Sequence, residues 1–191
     1  LYLGGMAIMN GFKSKEANRA EKEQSESEID EISETASEQN SNLSDELSKL
    51  NDLKENQFIY YCSINKETQI KNVTLKPFSN KNFKEDLIQC NGLISNAGFQ
   101  LPAEAIFLGK KMLCKPLVGQ PEQENNADAL KKLKHATICT EFTKSDIEYW
   151  IRNGKAKQEL YNDTMDLIIE MIQNPKKNYS KKIFEAWNQP S

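Results

Sequence analysis

Residues 93–127 read LISNAGFQLPAEAIFLGKKMLCKPLVGQPEQENNA and predict two consecutive strand-to-helix turns. The first apolar run ends at Asn96–Gly98, and we expect a short helix to open near Pro102 with Glu104 in its first turn. The second apolar run ends at Gly119–Gln120, before another helix that begins with proline. The carboxyl ends of neighbouring parallel strands meet at one edge of an α/β sheet, so such a pair of turns is typical of a nucleotide-binding crevice.

Strand and helix signals alternate through the rest of the chain. Apolar runs predict five strands, at residues 58–62, 73–77, 92–96, 112–116 and 136–140. Amphipathic segments predict helices at 44–56, 83–90, 102–108, 121–134 and 146–151, then a long helix through 160–172 and a last one at 183–187. This rhythm predicts an α/β fold with a Rossmann-like parallel sheet and helices on both faces.

Composition divides the chain in two. Residues 1–50 carry a net charge of −6, whereas residues 51–191 carry +3. Glu, Ser, Asn and Gln dominate between Lys13 and Leu43, and this segment has no aromatic residue. It cannot bury enough apolar surface to offset the entropy lost on ordering. We therefore expect a disordered, low-complexity acidic linker or tail over residues 1–43, and one folded domain over residues 44–191.

Several classes of function lack support in the sequence. The chain has no G-x-G-x-x-G, P-loop, H-E-x-x-H or G-x-S-x-G motif. Its four cysteines lie far apart and it has a single histidine, so we expect reduced core thiols and no metal site. A charge of +3 beyond residue 50 is too small for a typical nucleic-acid-binding protein, and we expect no nucleic-acid partner.

The polar residues of the two turns have both a functional and a structural interpretation. Gly98 would let backbone amides approach a phosphate, or is simply a turn glycine. Glu104 could accept hydrogen bonds from both hydroxyls of a ribose, or complement the helix dipole. Gln120, Glu122 and Gln123 suit recognition of sugar hydroxyls, although helix capping would explain one of them.

Three lysines flank the strand between these turns. Lys110, Lys111 and Lys115 could attract an anionic ligand, although exposed lysines beside a strand also serve solubility and edge protection. The residue types alone leave both interpretations open.

Four segments together resemble the donor-binding half of GT-B glycosyltransferases. They are Asn96–Glu104, Leu108–Lys110, Pro116–Gln123 and Asn126–Ala127. The nearest similarity is to the microbial family related to the N-acetylglucosaminyltransferase that completes lipid II, with weaker similarity to the UDP-glucuronosyltransferases. The resemblance covers residues 58–133 and its combined spacing is far more specific than any one glycine.

The resemblance implies a donor site made of Phe78, Ser79, Asn96, Ala97, Gly98, Glu104, Gln120, Glu122 and Gln123. Glu104 would hold the ribose, while Ala97, Gly98 and the following helix would face the diphosphate. Glu122 and Gln123 would contact the donor sugar.

Backbone groups of Phe78 and Ser79 would face the uracil of the donor. The chain departs from the resembled pattern at two places. It has Pro102-Ala103 where relatives often have Ser or Thr before the glutamate, and Lys115 where they usually have an apolar strand residue.

The resemblance further implies a hexosyltransferase that uses a UDP-hexose without a metal or other cofactor. A glycan or lipid acceptor and the catalytic base would belong to a separate N-terminal domain, so residues 44–191 alone would bind the donor and transfer nothing. The first donor-domain strand would lie at Leu1–Gly5 or be absent. We expect a cytoplasmic protein, with association at the inner face of the membrane as a further expectation. A non-catalytic interaction domain and a UDP-sugar epimerase of the non-hydrolysing type are the alternatives.

Overall fold

A computed structural model of the protein describes residues 6–12, 39–160 and 164–188. The chain divides into two units, Leu1–Gln158 and Glu159–Ser191. Residues 1–43 were predicted to be disordered, but the described residues 6–12 form a strand and residues 39–43 form the start of a helix, so the prediction was wrong there. The rest of that segment and the predicted strand at Leu1–Gly5 lie outside the described residues.

The first unit contains a seven-stranded sheet with the order β3-β4-β2-β1-β5-β6-β7. Its strands are β1 (Met6–Phe12), β2 (Asn56–Cys62), β3 (Thr68–Ile70), β4 (Val73–Pro77), β5 (Gly92–Asn96), β6 (Lys111–Lys115) and β7 (Ala136–Ile138). Strands β2, β4, β5, β6 and β7 share one direction, which confirms the Rossmann-like α/β prediction. The prediction of a wholly parallel sheet was incomplete, because β1 and β3 run antiparallel to their neighbours.

The central strand β1 lies between β2 and β5, antiparallel to both. Met9 pairs with Phe58 on one side and with Gly92 on the other, and its side chain is buried. A central strand is covered on both faces, which favours an uncharged sequence. Residues 6–12 are uncharged and meet that requirement.

Helices cover both faces of the sheet, as predicted. On one face, α1 (Gln39–Asn51) and α5 (Lys144–Asn153) pack through Leu47, Leu50 and Trp150. The opposite face is covered by α2 (Asn80–Gln89), α3 (Gln100–Phe107) and α4 (Pro121–Lys132).

Helix α1 occupies a different span from the predicted residues 44–56. It begins at Gln39 and ends at Asn51, and Asn56 is already the first residue of β2. The buried Asn72 explains the early end, because its side-chain amide donates to the carbonyl oxygens of Leu50, Leu53 and Asn56 at 2.9, 3.2 and 3.0 Å. These carbonyls therefore accept hydrogen bonds from Asn72, which lies outside the helix, and not from the backbone N–H groups of a further helical turn.

The four cysteines are free thiols, as predicted, and three of them are buried. Burial raises the pKa of Cys114 to about 12 and those of Cys62 and Cys139 to about 11. The thiols are therefore protonated at neutral pH and act as small apolar side chains.

The second unit contains α6 (Met165–Gln173) and α7 (Ser180–Asn188). The predicted long helix from residue 160 was wrong at its start, since the helix begins five residues later. Glu170 accepts hydrogen bonds from Lys177 and Lys182 at 2.7 and 2.5 Å, and these bonds lower its pKa. No helix in the described ranges is long and apolar enough to cross a membrane.

Candidate functional site

The two predicted turns lie side by side at the carboxyl edge of the sheet. Strands β5 and β6 are parallel neighbours, and their last residues, Asn96 and Lys115, are register partners. Paired strands lie about 4.8 Å apart. The chain therefore leaves the sheet at two adjacent points, and each exit leads into a helix on the same face.

The first turn leaves open space above its glycine. The side chain of Ala97 is fully buried, whereas a Cβ built on Gly98 would meet no atom within 4 Å. Phe99, the N-cap residue of α3, is 75% exposed and its side chain makes no capping hydrogen bond. The first backbone amides of α3 therefore have no side-chain cap, and the space that a Cβ on Gly98 would occupy is open.

Glu104 lies in the second turn of α3, so its predicted place in the first turn was wrong. The helix begins at Gln100 because Pro102 fits within the first turn, where a backbone N–H is not needed for an intrahelical bond. The side-chain amide of Gln100 donates to Glu104 Oε1 at 2.9 Å. This hydrogen bond orients the half-buried carboxylate and leaves its second oxygen available to a ligand.

The second turn is held in shape by its own side chains. Gly119 adopts a φ of +77°, which favours glycine, and Gln120 is the N-cap residue of α4. Gln123 Oε1 accepts from the Leu117 backbone N–H at 3.1 Å, while its Nε2 donates to Gln120 Oε1 at 3.0 Å. Gln123 therefore braces the loop, whereas Glu122 is exposed in the first turn of the helix.

A single side chain joins the two turns. Asn126 on α4 donates from Nδ2 to the carbonyl oxygen of Ala97 at 3.2 Å. Because this bond spans both turns, it fixes the helix α4 relative to the backbone that precedes α3.

Phe78 and Ser79 lie at the same edge of the sheet but further away. They follow β4, and the strands β2 and β1 lie between β4 and β5. The turn after β4 is therefore three strand spacings, about 14 Å in total, from the turn after β5. Ser79 caps α2 by accepting from the backbone N–H of Asn82 at 3.5 Å, and Phe78 is 39% exposed. The structure thus groups the residues of the two turns and leaves Phe78 and Ser79 at the far end of the edge.

Over residues 21–153, more than half of the 191-residue chain, the sequence matches the family model described as Glycosyl transferase family 1. The chain belongs to glycosyl transferase family 1. This family is of the GT-B type and transfers glycosyl groups from nucleotide-sugar donors. No curated protein and no solved structure matches the chain.

Two of the three lysines that could attract an anionic ligand make structural contacts in this family 1 chain. Lys110 Nζ donates to the carbonyls of Ile88 and Cys90 at 2.6 and 2.9 Å, at the end of α2. Lys111 Nζ donates to the Ile151 carbonyl at 2.7 Å. Both lysines lie at the amino end of β6, opposite the two turns, and are occupied by structural contacts.

A hydrogen-bonded group near the β4–α2 turn was missed by the sequence analysis. Asp86 on α2 accepts from the Tyr61 hydroxyl at 2.5 Å and from Lys76 Nζ at 2.8 Å. Burial and then the hydrogen bond to Asp86 raise the pKa of Tyr61. The group ties α2 to β2 and β4, and so fixes the turn that carries Ser79. Its three members are 10 to 25 residues apart in sequence, and no local pattern marks them.

Two site contacts differ in how easily the sequence could have shown them. Gln100 and Glu104 are four residues apart on one helix, a spacing at which side chains meet. Asn126 and Ala97 are 29 residues apart, so only the register of β5 and β6 brings them together.

Proposed function

We propose that the crevice above the carboxyl ends of β5 and β6 binds a UDP-linked hexose as the donor of a glycosyltransferase. The observation that carries the proposal is the pairing of Asn96 with Lys115, reinforced by the hydrogen bond from Asn126 to Ala97. Together they place two polar strand-to-helix turns at one edge, the usual position of a nucleotide in an open α/β sheet. Membership of glycosyl transferase family 1 supports a sugar nucleotide as that ligand.

The diphosphate of the donor would lie against the start of α3. The first turn of this helix carries a partial positive charge, and no side chain caps the N–H groups of Gln100 and Leu101. The open space above Gly98 lets phosphate oxygens approach the backbone closely. These donors would stabilise the negative charge that builds on the leaving UDP, without a metal ion.

The ribose and the sugar would be held by the remaining polar side chains. Glu104 has one carboxylate oxygen bonded to Gln100 and one left for ribose hydroxyls. Gln123 uses one N–H and one lone pair in the loop, so its amide retains one donor and one acceptor for the sugar. The exposed Glu122 is the second proposed sugar contact. The turn at Phe78 and Ser79, further along the edge, would offer backbone groups to the uracil.

In the proposed reaction the bond between the anomeric carbon and the β-phosphate oxygen breaks, and its electron pair leaves with UDP. An acceptor hydroxyl oxygen forms the new glycosidic bond, and its proton passes to a base. We assign the glycan or lipid acceptor and this base to an N-terminal domain. Residues 1–191 alone, which include the central strand β1, are therefore expected to bind the donor and to transfer nothing, because this proposal places the acceptor and the base in another domain.

Isothermal titration of the chain with UDP tests this function. We expect saturable binding, and Glu104→Ala should weaken it about tenfold because a hydrogen bond to a charged group is lost. Glu85→Ala, which removes an exposed carboxylate from α2, is the control and should leave the affinity unchanged. Absence of UDP binding up to millimolar concentration, or equal affinity of the Glu104→Ala variant and wild type, would contradict the proposal.

A further inference from the structure

Lys115 differs from the two other lysines beside β6. Lys110 and Lys111 donate to backbone carbonyls at the amino edge of the sheet. Lys115 is the last residue of β6 at the carboxyl edge, and it pairs with Asn96. Its backbone therefore lies beside the two turns, whereas its side chain lies against Phe142, which packs on the face covered by α1 and α5.

The ammonium group of Lys115 lies 5.3 Å from the centre of the Phe142 ring. Within the described part of the chain it makes no hydrogen bond and no ion pair. An ammonium group carries three N–H donors, and a contact with a ring face satisfies none of them. The four-carbon stem of lysine lets the charge move to a better partner when one is present.

The other charged residues of the two turns are acidic. Residues 96–104 contribute Glu104, and residues 115–126 contribute Glu122 and Glu124. Lys115 is the single basic residue in these two segments. These carboxylates disfavour an anionic ligand at this edge, and a positive charge close to the turns would offset that effect.

We infer that Lys115 binds the diphosphate of the donor and is a specificity residue for diphosphate-bearing ligands. This inference rests on the proposed function. The Cα atom of Lys115 lies one strand spacing, about 4.8 Å, from that of Asn96. Gly98 follows Asn96 by two residues. The Lys115 ammonium would leave the Phe142 ring and donate to phosphate oxygens, while the amides of α3 donate from the other side.

Comparing two ligands separates this role from a structural one. Wild type, Lys115→Met and Lys115→Arg are titrated with UDP and with uridine, which shares the base and ribose but has no phosphate. We expect Lys115→Met to weaken UDP binding about tenfold and to leave uridine binding unchanged, because only the charge-assisted hydrogen bond is lost. Lys115→Arg should restore most of the UDP affinity. Lys132→Met, which removes an exposed lysine from the last turn of α4, is the control.

The dependence of UDP affinity on salt concentration is a second test of this role. Raising the ionic strength should weaken UDP binding more in wild type than in Lys115→Met, because the charge that salt screens is absent from the variant. If UDP binds wild type and Glu104→Ala weakens it, but Lys115→Met leaves the ratio of UDP to uridine affinity unchanged, the role of Lys115 is overturned and the proposed function stands. If wild type fails to bind UDP, both are overturned. An equal loss of UDP and uridine affinity in Lys115→Met would also contradict the inference.

Discussion

The Asn126 side-chain amide donates to the carbonyl oxygen of Ala97 at 3.2 Å and joins the two turns of the candidate site. We expect Asn126→Ala to lower the free energy of unfolding by about 1 kcal/mol, since the buried carbonyl of Ala97 loses its partner. UDP affinity should fall as well, because α4 is no longer fixed against the turn before α3. Urea unfolding and titration with UDP measure the two effects.

Asn125→Ala is the matched control for this variant. Asn125 is the exposed neighbour of Asn126 on the same helix and has the same side chain. Its replacement should change stability by less than about 0.5 kcal/mol. If Asn125→Ala and Asn126→Ala behave alike, the bond to Ala97 has no measurable role.

Gly98→Ala should separate ligand binding from stability. A Cβ at Gly98 would meet no atom of the described structure within 4 Å, so we expect a change in unfolding free energy below about 0.5 kcal/mol. The same methyl group would occupy the space in which phosphate oxygens approach the backbone, so UDP affinity should fall severalfold. Unchanged UDP affinity in a stably folded Gly98→Ala variant would show that the diphosphate does not lie here.

Gly92→Ala, in contrast to Gly98→Ala, should lower the stability of the fold. A Cβ at Gly92 would lie 2.7 Å from Cζ2 of Trp150 and 2.9 Å from Cγ of Lys111. Because the Trp150 side chain is fully buried, it has no room to move away. We expect a loss of about 1–3 kcal/mol in unfolding free energy, measured by urea unfolding. A variant as stable as wild type would show that Trp150 can repack.

The sequence predicted the parallel part of the sheet because apolar runs and turn residues are local signals. Gly92–Asn96 was predicted with the observed bounds, and the helix that begins at Pro121 was predicted at its first residue. The proximity of the two turns also followed from the sequence, since neighbouring parallel strands end at the same edge.

Features that depend on distant residues were not predictable in this way. The early end of α1 depends on Asn72, which lies 16 to 22 residues from its three partners. The antiparallel direction of β1 has no local signature, because an uncharged run fits a central strand in either direction. The difference between Lys111 and Lys115 likewise arises from their positions at opposite ends of β6. Both lie over an aromatic ring, but Lys111 also donates to a helix carbonyl.

Because the thiols are buried, the free energy of unfolding should fall as the pH rises in the alkaline range. Burial raises the pKa of Cys114 from its usual 9.0 to about 12. The folded state thus keeps this thiol protonated, whereas the unfolded chain loses the proton near pH 9. The stabilising contribution is therefore fully present below about pH 9 and is lost as the pH rises from there to about 12, by about 1.4 kcal/mol per pH unit.

Urea unfolding of wild type and Cys114→Ala under reducing conditions tests this pH dependence. The variant is expected to be less stable at neutral pH because of the cavity, but its stability should fall less steeply above about pH 9. Cys62 and Cys139, whose pKa values burial raises to about 11, remain in both proteins and contribute equally to both slopes. Parallel curves for the two proteins would contradict the raised pKa of Cys114.

Glu122 and Gln123 are adjacent in the second turn, yet the structure gives them different roles. Gln123→Ala removes two hydrogen bonds that hold the loop, so we expect weaker binding of both UDP and a UDP-hexose. The exposed Glu122 makes no comparable contact within the described residues, so Glu122→Ala should weaken the UDP-hexose alone, by about tenfold if a charged hydrogen bond to the sugar is lost. Glu124→Ala, which removes the other exposed carboxylate in the first turn of α4, is the control. Because UDP lacks the hexose, an equal effect of Glu122→Ala on both ligands would place Glu122 at the nucleotide instead of the sugar.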